Sequence, residues 1–225
     1  MPTTGIVANH GSSIPFRSVG SFSIPAIITV VTWCIVVVDY RWDYRDVHYF
    51  NSMKLVYTLK LEGKIKELGL TNFDTLHMAK LYEEWAIPIV SNQVAYSIID
   101  RRPEKKVVAW CWKHNVKILA YGSLLGGFLS EKYLGGPEPQ TFELTTQSLS
   151  KYKRTIDQWG GWMLFHLLLA LSQIADKYEV SISNVAVCYI ADKPAVAAVI
   201  IGAQLSIAQH IPSNQATFSF PGLDQ

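Results

Sequence analysis

Hydrogen-bonding and aromatic groups follow the ends of several short apolar segments in this chain. They are Thr71, Asn72, Ser91, Asn92, Gln93, Tyr121, Gly122, Gly202 and Gln204. Threonine and amide side chains supply hydrogen-bond donors and acceptors for a polar ligand, and a tyrosine ring supplies a flat apolar face. If the apolar segments are parallel strands, their exits open on one face, and these scattered groups converge there on a ligand site.

Groups able to exchange protons follow the first strong apolar segment, at Asp39, Tyr40 and Asp43. A tyrosine can protonate a carbonyl oxygen if a cation lowers its pKa, and Arg41 is its neighbour. Alternation along a strand, however, sends neighbours to opposite faces. The two aspartates are further candidate acid–base groups, or they are solvated carboxylates at a strand end. We therefore take Tyr40 and Asp39 as candidate catalytic residues.

The elements that must position these groups repeat one pattern between Ile65 and Ile201: a short apolar strand, a polar or glycine-containing exit, and an amphipathic helix. This alternation predicts an α/β fold of the parallel βα-barrel type. The predicted strands are 33–39, 64–70, 88–94, 116–121 and 196–201, and the predicted helices are 49–62, 74–85, one from Pro103, 162–178 and 183–191. The glycine-rich and polar stretch 122–161 is predicted to be a long loop over the barrel mouth. Five strands in place of eight indicate a partial barrel.

The length and composition of the chain fit a single domain, which an N-terminal arm precedes. The chain has 225 residues, of which 49% are hydrophobic and 17% charged, so it can bury a sizeable core. We assign residues 31–225 to the barrel and residues 1–30, rich in Gly, Ser, Thr and Pro, to an irregular arm. A net charge of +2 with dispersed Lys and Arg argues against nucleic acid as a partner.

A membrane, a metal and a secreted location are not expected either. The apolar run 24–38 is too short for a membrane span and is rich in β-branched residues, which favours a buried strand. Cys34, Cys111 and Cys188 each lie in an apolar run without CxxC pairing, which predicts reduced core thiols and no metal site. With no Asn-x-Ser/Thr acceptor, the sequence favours a cytoplasmic protein.

Four segments, in order, resemble the aldo-keto reductase superfamily: EGKIKELGLTNF at 62–73, SNQVAYS at 91–97, AYGSL at 120–124 and VIIGA at 199–203. The tracts at 148–153 and 159–162 resemble a microbial and plant branch that includes fungal natural-product pathways. The resemblance, which runs from about residue 35 to 215, implies a (β/α)8 TIM-type barrel that lacks about its first three βα units. It also implies that Tyr40 stands where family members have a catalytic histidine, and that their other catalytic groups belong to the lacking units.

The resemblance implies a nicotinamide cofactor, NADP or else NAD. Thr71, Asn72 and Gln93 would hold the nicotinamide carboxamide, for which both donors and acceptors are needed. Tyr121 would stack on the nicotinamide ring, and a core tyrosine is the alternative reading of this residue.

The resemblance implies fewer of the residues that would bind the phosphates and the adenosine of the cofactor. Gly122 and Leu124 would lie near the pyrophosphate, where a small residue lets backbone amides approach an anion. Gly202 and Gln204 would lie towards the adenosine, where this branch has an arginine in place of Gln204 and a glutamate in place of Gln209. Loss of a bidentate cation leaves the choice between NAD and NADP open, and an exposed loop amide is the alternative role for Gln204.

Three functions remain compatible with the sequence. The first is an NAD(P)H-dependent reductase of an aldehyde or ketone on a small organic substrate, for which a secondary metabolite is one candidate. The second is a non-redox cyclase, isomerase or dehydratase that reuses the barrel mouth. The third is a catalytically silent, truncated paralogue that acts as a binding subunit and that has no cofactor. A homo-oligomer covering the open barrel edge is a candidate assembly in each case.

Overall fold

The computed structural model of the chain describes residues 3–8, 35–39, 48–203 and 210–217. They belong to two compact units: unit 1 takes its residues from 1–9, 95–103 and 120–225, and unit 2 from 10–94 and 104–119. The strands are β1 Thr3–Ala8, β2 Ile35–Asp39, β3 Glu67–Thr71, β4 Ser91–Ala95, β5 Lys117–Tyr121 and β6 Val196–Ala203. The α-helices are α1 His48–Leu61, α2 Thr75–Ala79, α3 Val107–Lys113, α4 Gln147–Trp159, α5 Leu164–Tyr178, α6 Ile182–Ala191 and α7 His210–Ala216.

Unit 2 is built on parallel strands. β2 pairs with β3, and β3 pairs with β4, both in the parallel sense. The start of β5 joins the same sheet, since the amide of Lys117 donates to the carbonyl oxygen of Val90 at 2.8 Å. β3 is buried along its last four residues rather than at alternate ones, which is typical of a strand covered on both faces.

Helix α1 of unit 2 buries an aromatic cluster. Tyr49 and Met53, one turn apart, are 5% and 0% exposed. The Tyr49 ring packs edge-on against Phe73 at 6.4 Å and against His77 at 5.5 Å between ring centres. Asp74 begins α2 by accepting a hydrogen bond from the amide of His77, as expected for a helix N-cap. The loop that follows β3 is therefore held by the buried ring of Phe73 and by the exposed N-cap at Asp74.

Unit 1 combines an antiparallel strand pair with a helical core. β1 runs antiparallel to β6, from Thr3 opposite Ala203 to Ala8 opposite Ala198. The buried core of this unit comprises Ile99, Leu125, Phe128, Leu129, Ile156, Leu168, Leu171, Ala175, Ile182, Val185 and Ala186. Most residues of helix α6 are buried. The first amide of this helix, that of Ile182, donates a hydrogen bond to Oε1 of Glu131 at 2.6 Å.

The α/β class predicted from the sequence is confirmed, and each of the five predicted strands is present with shifted ends. The prediction of one long loop over 122–161 was wrong for α4. Helix α4 is polar except for a narrow stripe that faces the core, in which Leu149, Tyr152 and Ile156 lie three and four residues apart. Thr146 caps this helix by accepting a hydrogen bond from the amide of Leu149.

Within residues 1–30, predicted to be an irregular arm, the structure places β1. Its pairing joins residues nearly the whole chain apart, which a local pattern does not reveal. The predicted buried strand of run 24–38 falls within the described residues only at β2. Across the ranges that the structure describes, none of the helices is long and apolar enough to cross a membrane.

Candidate functional site

Three of the candidate residues form one row across the parallel strands of unit 2. Asp39 is the Cα partner of Thr71, and Thr71 is the Cα partner of Gln93. Register partners in adjacent parallel strands lie on the same face of a sheet. Thr71 is 8% exposed and Gln93 is half-buried. The row therefore brings a buried hydroxyl and an amide to one level, and the backbone of Asp39 is in register with them. The candidate acid Tyr40 lies outside the described residues.

Asn72 leaves this row with an unusual backbone. Its amide donates to the carbonyl oxygen of Gln93 at 2.8 Å, which extends the pairing of β3 with β4 by one residue. Its φ is 59°, in the left-handed region that asparagine tolerates better than other residues with a side chain. Asparagine at this exit thus has a backbone role, which is separate from any contact of its amide with a ligand.

Asn92 supports the same exit from within β4. It is 0% exposed, donates from Nδ2 to the carbonyl oxygen of Phe73 at 2.9 Å, and accepts from the amide of Phe73 at 3.3 Å. Sequence reasoning grouped Asn92 with the ligand-facing residues. In the structure its side-chain amide instead forms hydrogen bonds with the backbone of the loop after β3. A single side chain therefore fixes the backbone that carries Thr71 and Asn72.

A buried hydroxyl lies beside the row without a partner. Ser91 is 3% exposed, and its Oγ makes no hydrogen bond within the described part of the chain. Ser91 and Gln93 are two residues apart in β4, so strand alternation puts them on the same face. A buried polar atom without a partner requires an explanation, and a bound polar group or water supplies one.

The exit of β5, in unit 1, carries Tyr121. The amide of Tyr96 donates to the carbonyl oxygen of Tyr121 at 3.0 Å, and the Ser123 hydroxyl donates to the carbonyl oxygen of Tyr96 at 2.9 Å. Ser123 and Tyr96 are each 1% exposed, whereas Tyr121 is half-buried. Tyr121 is thus held by its backbone while part of its side chain remains accessible.

Gly122 is required by packing within the protein as well as by its backbone. Its φ is 71°, and a Cβ at this position would lie 2.7 Å from Oη of Tyr152. Gly126, with φ 68°, would bring a Cβ to 3.0 Å from Cδ2 of the same ring. The Tyr152 ring therefore lies directly on two glycines. These contacts explain the Gly122 signal without an anion, so the glycine alone does not identify a phosphate site.

Helix α4 also brings a cation to Tyr121. Nζ of Lys151 lies 5.1 Å from the centre of the Tyr121 ring and 5.3 Å from that of the Tyr152 ring. Both distances are within the range of cation–π attraction. Among the described residues no carboxylate forms an ion pair with Lys151. The two tyrosine rings are therefore its charge-stabilising neighbours.

An ion pair completes this part of unit 1. Asp100 is 8% exposed and accepts from Nε and Nη2 of Arg102, each at 2.7 Å. Hydrogen bonding to Asp100 raises the pKa of Arg102, while burial acts in the opposite direction. Burial raises the pKa of Tyr152, as do the nearby Tyr121 and Asp100. The raised pKa keeps the Tyr152 phenol protonated and argues against a role for it as a base.

A polar groove of about 1180 Å³ runs beside α4. Lys151 lines it, whereas Tyr121, Gly122 and Leu124 do not. Lys153, also in its wall, lies between Glu138 and Asp157, with Nζ 2.5 Å from a carboxylate oxygen of each. This groove of unit 1 is thus lined by α4 and the segment before it, and not by Tyr121, Gly122 or Leu124.

The other expected cofactor residues give less information. Leu124 is half-buried at the turn that follows Gly122, and Gly202 is exposed in β6. Gln204 lies outside the described residues. Sequence reasoning missed Lys151 and Tyr152 because it treated α4 as loop. The spacing of Leu149, Tyr152 and Ile156 was the signal that could have found them.

Comparison with known proteins finds relatives that match part of this chain. It is 34% identical over 126 residues to flagellar radial spoke protein 5 of Chlamydomonas reinhardtii, covering 55% of the chain and 24% of that protein. It is 27% identical over 169 residues to an aldo-keto reductase of Babesia bovis, covering 72% of the chain and 58% of that protein. The chain thus spans between a quarter and about six tenths of these relatives.

The fold and the family agree with each other. The solved structure of a glycerol dehydrogenase from Gluconobacter oxydans matches with a TM-score of 0.59 at 22% identity, covering 73% of this chain and 47% of that one. Structures of this kind are aldo-keto reductase barrels, so the predicted partial (β/α)8 barrel is confirmed. The sequence profile of the aldo/keto reductase family matches residues 34–225. Because this match covers most of its length, the chain belongs to the aldo/keto reductase family.

Proposed function

We propose that this protein binds a nicotinamide dinucleotide and reduces an aldehyde or ketone on a small organic substrate. The observation that carries the proposal is the row in which Thr71 and Gln93 are register partners beside the exit residue Asn72. Their hydroxyl and amide groups offer both donors and acceptors, which a nicotinamide carboxamide needs. The buried, unpartnered hydroxyl of Ser91 on the same face fits a polar occupant.

The β5 exit suits the rest of the cofactor. Tyr121 offers an aromatic ring that is partly accessible, and we propose that it stacks on the nicotinamide ring. We further propose that the backbone around Gly122 and Leu124 lies near the pyrophosphate, and that Gly202 and Gln204 lie towards the adenosine. NADP is our first choice and NAD the second.

The bound cofactor would supply hydride to the carbonyl carbon, which converts the carbonyl oxygen into an alkoxide that needs a proton. Asp39 ends β2 at the level of Thr71, and Tyr40 follows it directly in the chain. We propose that Tyr40 donates this proton and that Asp39 assists as a second acid–base group. A donor placed where the oxyanion develops lowers the barrier more than one that must reorient.

Binding of the nucleotide is the first test. Tryptophan fluorescence should be quenched by NADPH or NADH, and Gln93→Leu and Thr71→Val should each weaken that binding by about tenfold, the effect of losing a buried hydrogen bond. Gln173→Leu removes an exposed amide from α5 and should leave binding unchanged. Absence of binding by both nucleotides would overturn the proposal.

Turnover is the second test. A panel of aldehydes and ketones should consume NADPH, and Tyr40→Phe should abolish most of that consumption while nucleotide binding is retained. A product that forms without NADPH consumption, and that depends on Tyr40 or Asp39, would replace the reductase by a non-redox enzyme. Because the family is defined by its fold, chemistry must be decided at these residues.

The location in the cell is also a proposal. Cys111 is a buried, free thiol, and this suits a reducing compartment such as the cytoplasm. A natural-product pathway is proposed as the source of the substrate. Growth of the source cells with and without the gene, followed by analysis of their carbonyl metabolites, would test that assignment.

A further inference from the structure

We propose that Lys151 makes the nicotinamide site selective for the reduced cofactor over the oxidised one. This inference rests on the proposed function, because it takes Tyr121 as the ring against which the nicotinamide stacks. It adds a specificity-determining residue on α4, an element outside the segments from which the cofactor site was inferred.

Lys151 is exposed on α4 and has two aromatic rings as neighbours of its charge. Its Nζ lies over the faces of two tyrosine rings, 5.1 Å from the centre of Tyr121 and 5.3 Å from that of Tyr152. No carboxylate neutralises it among the residues that the structure describes. Tyr152 is itself fixed, since its ring packs against Gly122 and Gly126. A positive charge thus lies beside the proposed stacking ring, and beside a second tyrosine whose ring is packed against two glycines.

The two redox forms of the cofactor differ in the charge of the nicotinamide ring, which interacts with the charge of Lys151. The oxidised nicotinamide ring carries a positive charge and the reduced ring carries none, while the phosphates are the same in both. The proposal places the nicotinamide ring on the face of Tyr121 opposite Lys151, where it would lie roughly 8 to 9 Å from Nζ, the sum of the observed distance and a stacking distance of about 3.5 Å. Like charges at this separation repel, so Lys151 disfavours the oxidised form.

The size of the effect follows from Coulomb's law. Across about 8.5 Å of partly solvated surface, the repulsion changes the relative affinity by about two- to fivefold. The contribution of Lys151 to phosphate binding is equal for the two forms and cancels when their dissociation constants are compared. The ratio of the constants therefore isolates the charge on the ring. A reductase gains from this bias because the oxidised product leaves more easily.

The test measures Kd for NADPH and NADP+ by titration of the full chain. Lys151→Gln should lower the ratio of Kd for NADP+ to Kd for NADPH by about two- to fivefold, and Lys151→Glu should lower it further. Lys132→Gln is the matched control, because Nζ of Lys132 also lies 5.1 Å from the centre of a tyrosine ring, that of Tyr133. This control removes an equal charge from an equal geometry away from the β5 exit, and its ratio should equal that of the unmodified protein.

The outcomes separate this inference from the proposed function. An unchanged ratio in both Lys151 variants, with both nucleotides still bound, would overturn the role of Lys151 and leave the reductase proposal intact. An equal fall in the Lys132 variant would also overturn it, since the effect would then be one of net charge. Failure of the unmodified protein to bind either nucleotide would overturn both proposals. Circular dichroism of each variant establishes that it is folded.

Discussion

Asn92 holds both backbone polar groups of Phe73, donating to its carbonyl oxygen at 2.9 Å and accepting from its amide at 3.3 Å. This contact joins the interior of β4 to the loop after β3, where Thr71 and Asn72 lie. Because Asn92 is fully buried, bulk solvent does not reach these two backbone groups in the folded protein. The candidate site therefore depends on a residue that need not contact a ligand at all.

Replacing Asn92 should destabilise the protein strongly. Asn92→Ala leaves the amide and carbonyl oxygen of Phe73 buried without partners, at a cost of about 3 kcal/mol in the free energy of unfolding. Urea denaturation measures this loss. Asn51→Ala, at an exposed position of α1, should change stability by less than about 0.5 kcal/mol. Equal effects of the two substitutions would contradict the assigned role.

The backbone role of Asn72 can be separated from its amide. Asn72→Ala should lower the unfolding free energy by about 1 kcal/mol because alanine resists a φ of 59°, whereas Asn72→Gly adopts it without strain. Both variants lack the amide and should lose NADPH affinity. If the glycine variant binds NADPH as tightly as the unmodified protein, the Asn72 side chain is not a cofactor contact.

The two reasons for a glycine at position 122 can be measured apart. Gly122 and Gly63 both have a φ of 71°, but only at Gly122 would a Cβ meet another residue, 2.7 Å from Oη of Tyr152. Gly63→Ala should therefore cost about 1 kcal/mol, and Gly122→Ala about 3 kcal/mol, since strain and a steric clash then add. Thermal or urea unfolding gives both values. Equal losses of unfolding free energy in the two variants would show that the Tyr152 side chain moves aside without cost.

Stability should fall at alkaline pH through Cys111. Burial raises the pKa of its thiol from 9.0 to about 12 in the folded protein. Below pH 9 the thiol is protonated in both states, and between pH 9 and 12 it ionises only on unfolding, so stability is lost as the pH rises. Cys111→Ala should have a flatter stability curve in that interval, by up to about 1.4 kcal/mol per pH unit. Parallel curves throughout would disprove this contribution.

Local sequence patterns were sufficient where the signal was strong and continuous. The run Ile35–Asp39 and the segment that ends at Thr71 are apolar and rich in β-branched or long aliphatic residues, so their strands could be predicted. The exit residues Asn72 and Tyr121 could be named because a parallel βα pattern places each strand exit on the same side. Helix α4 was missed because only a narrow apolar stripe marks it in a polar stretch.

The sequence by itself determined the α/β class, the five parallel-type strand segments, the family resemblance and the polar character of the strand exits. Only the tertiary structure decided that Asp39, Thr71 and Gln93 share one row, that Asn92 serves the backbone, and that Lys151 lies over Tyr121. The physical reason is the distance along the sequence over which each kind of interaction acts. Propensity and periodicity act between neighbours, whereas register, buried hydrogen bonds and ring contacts join residues that only packing brings together.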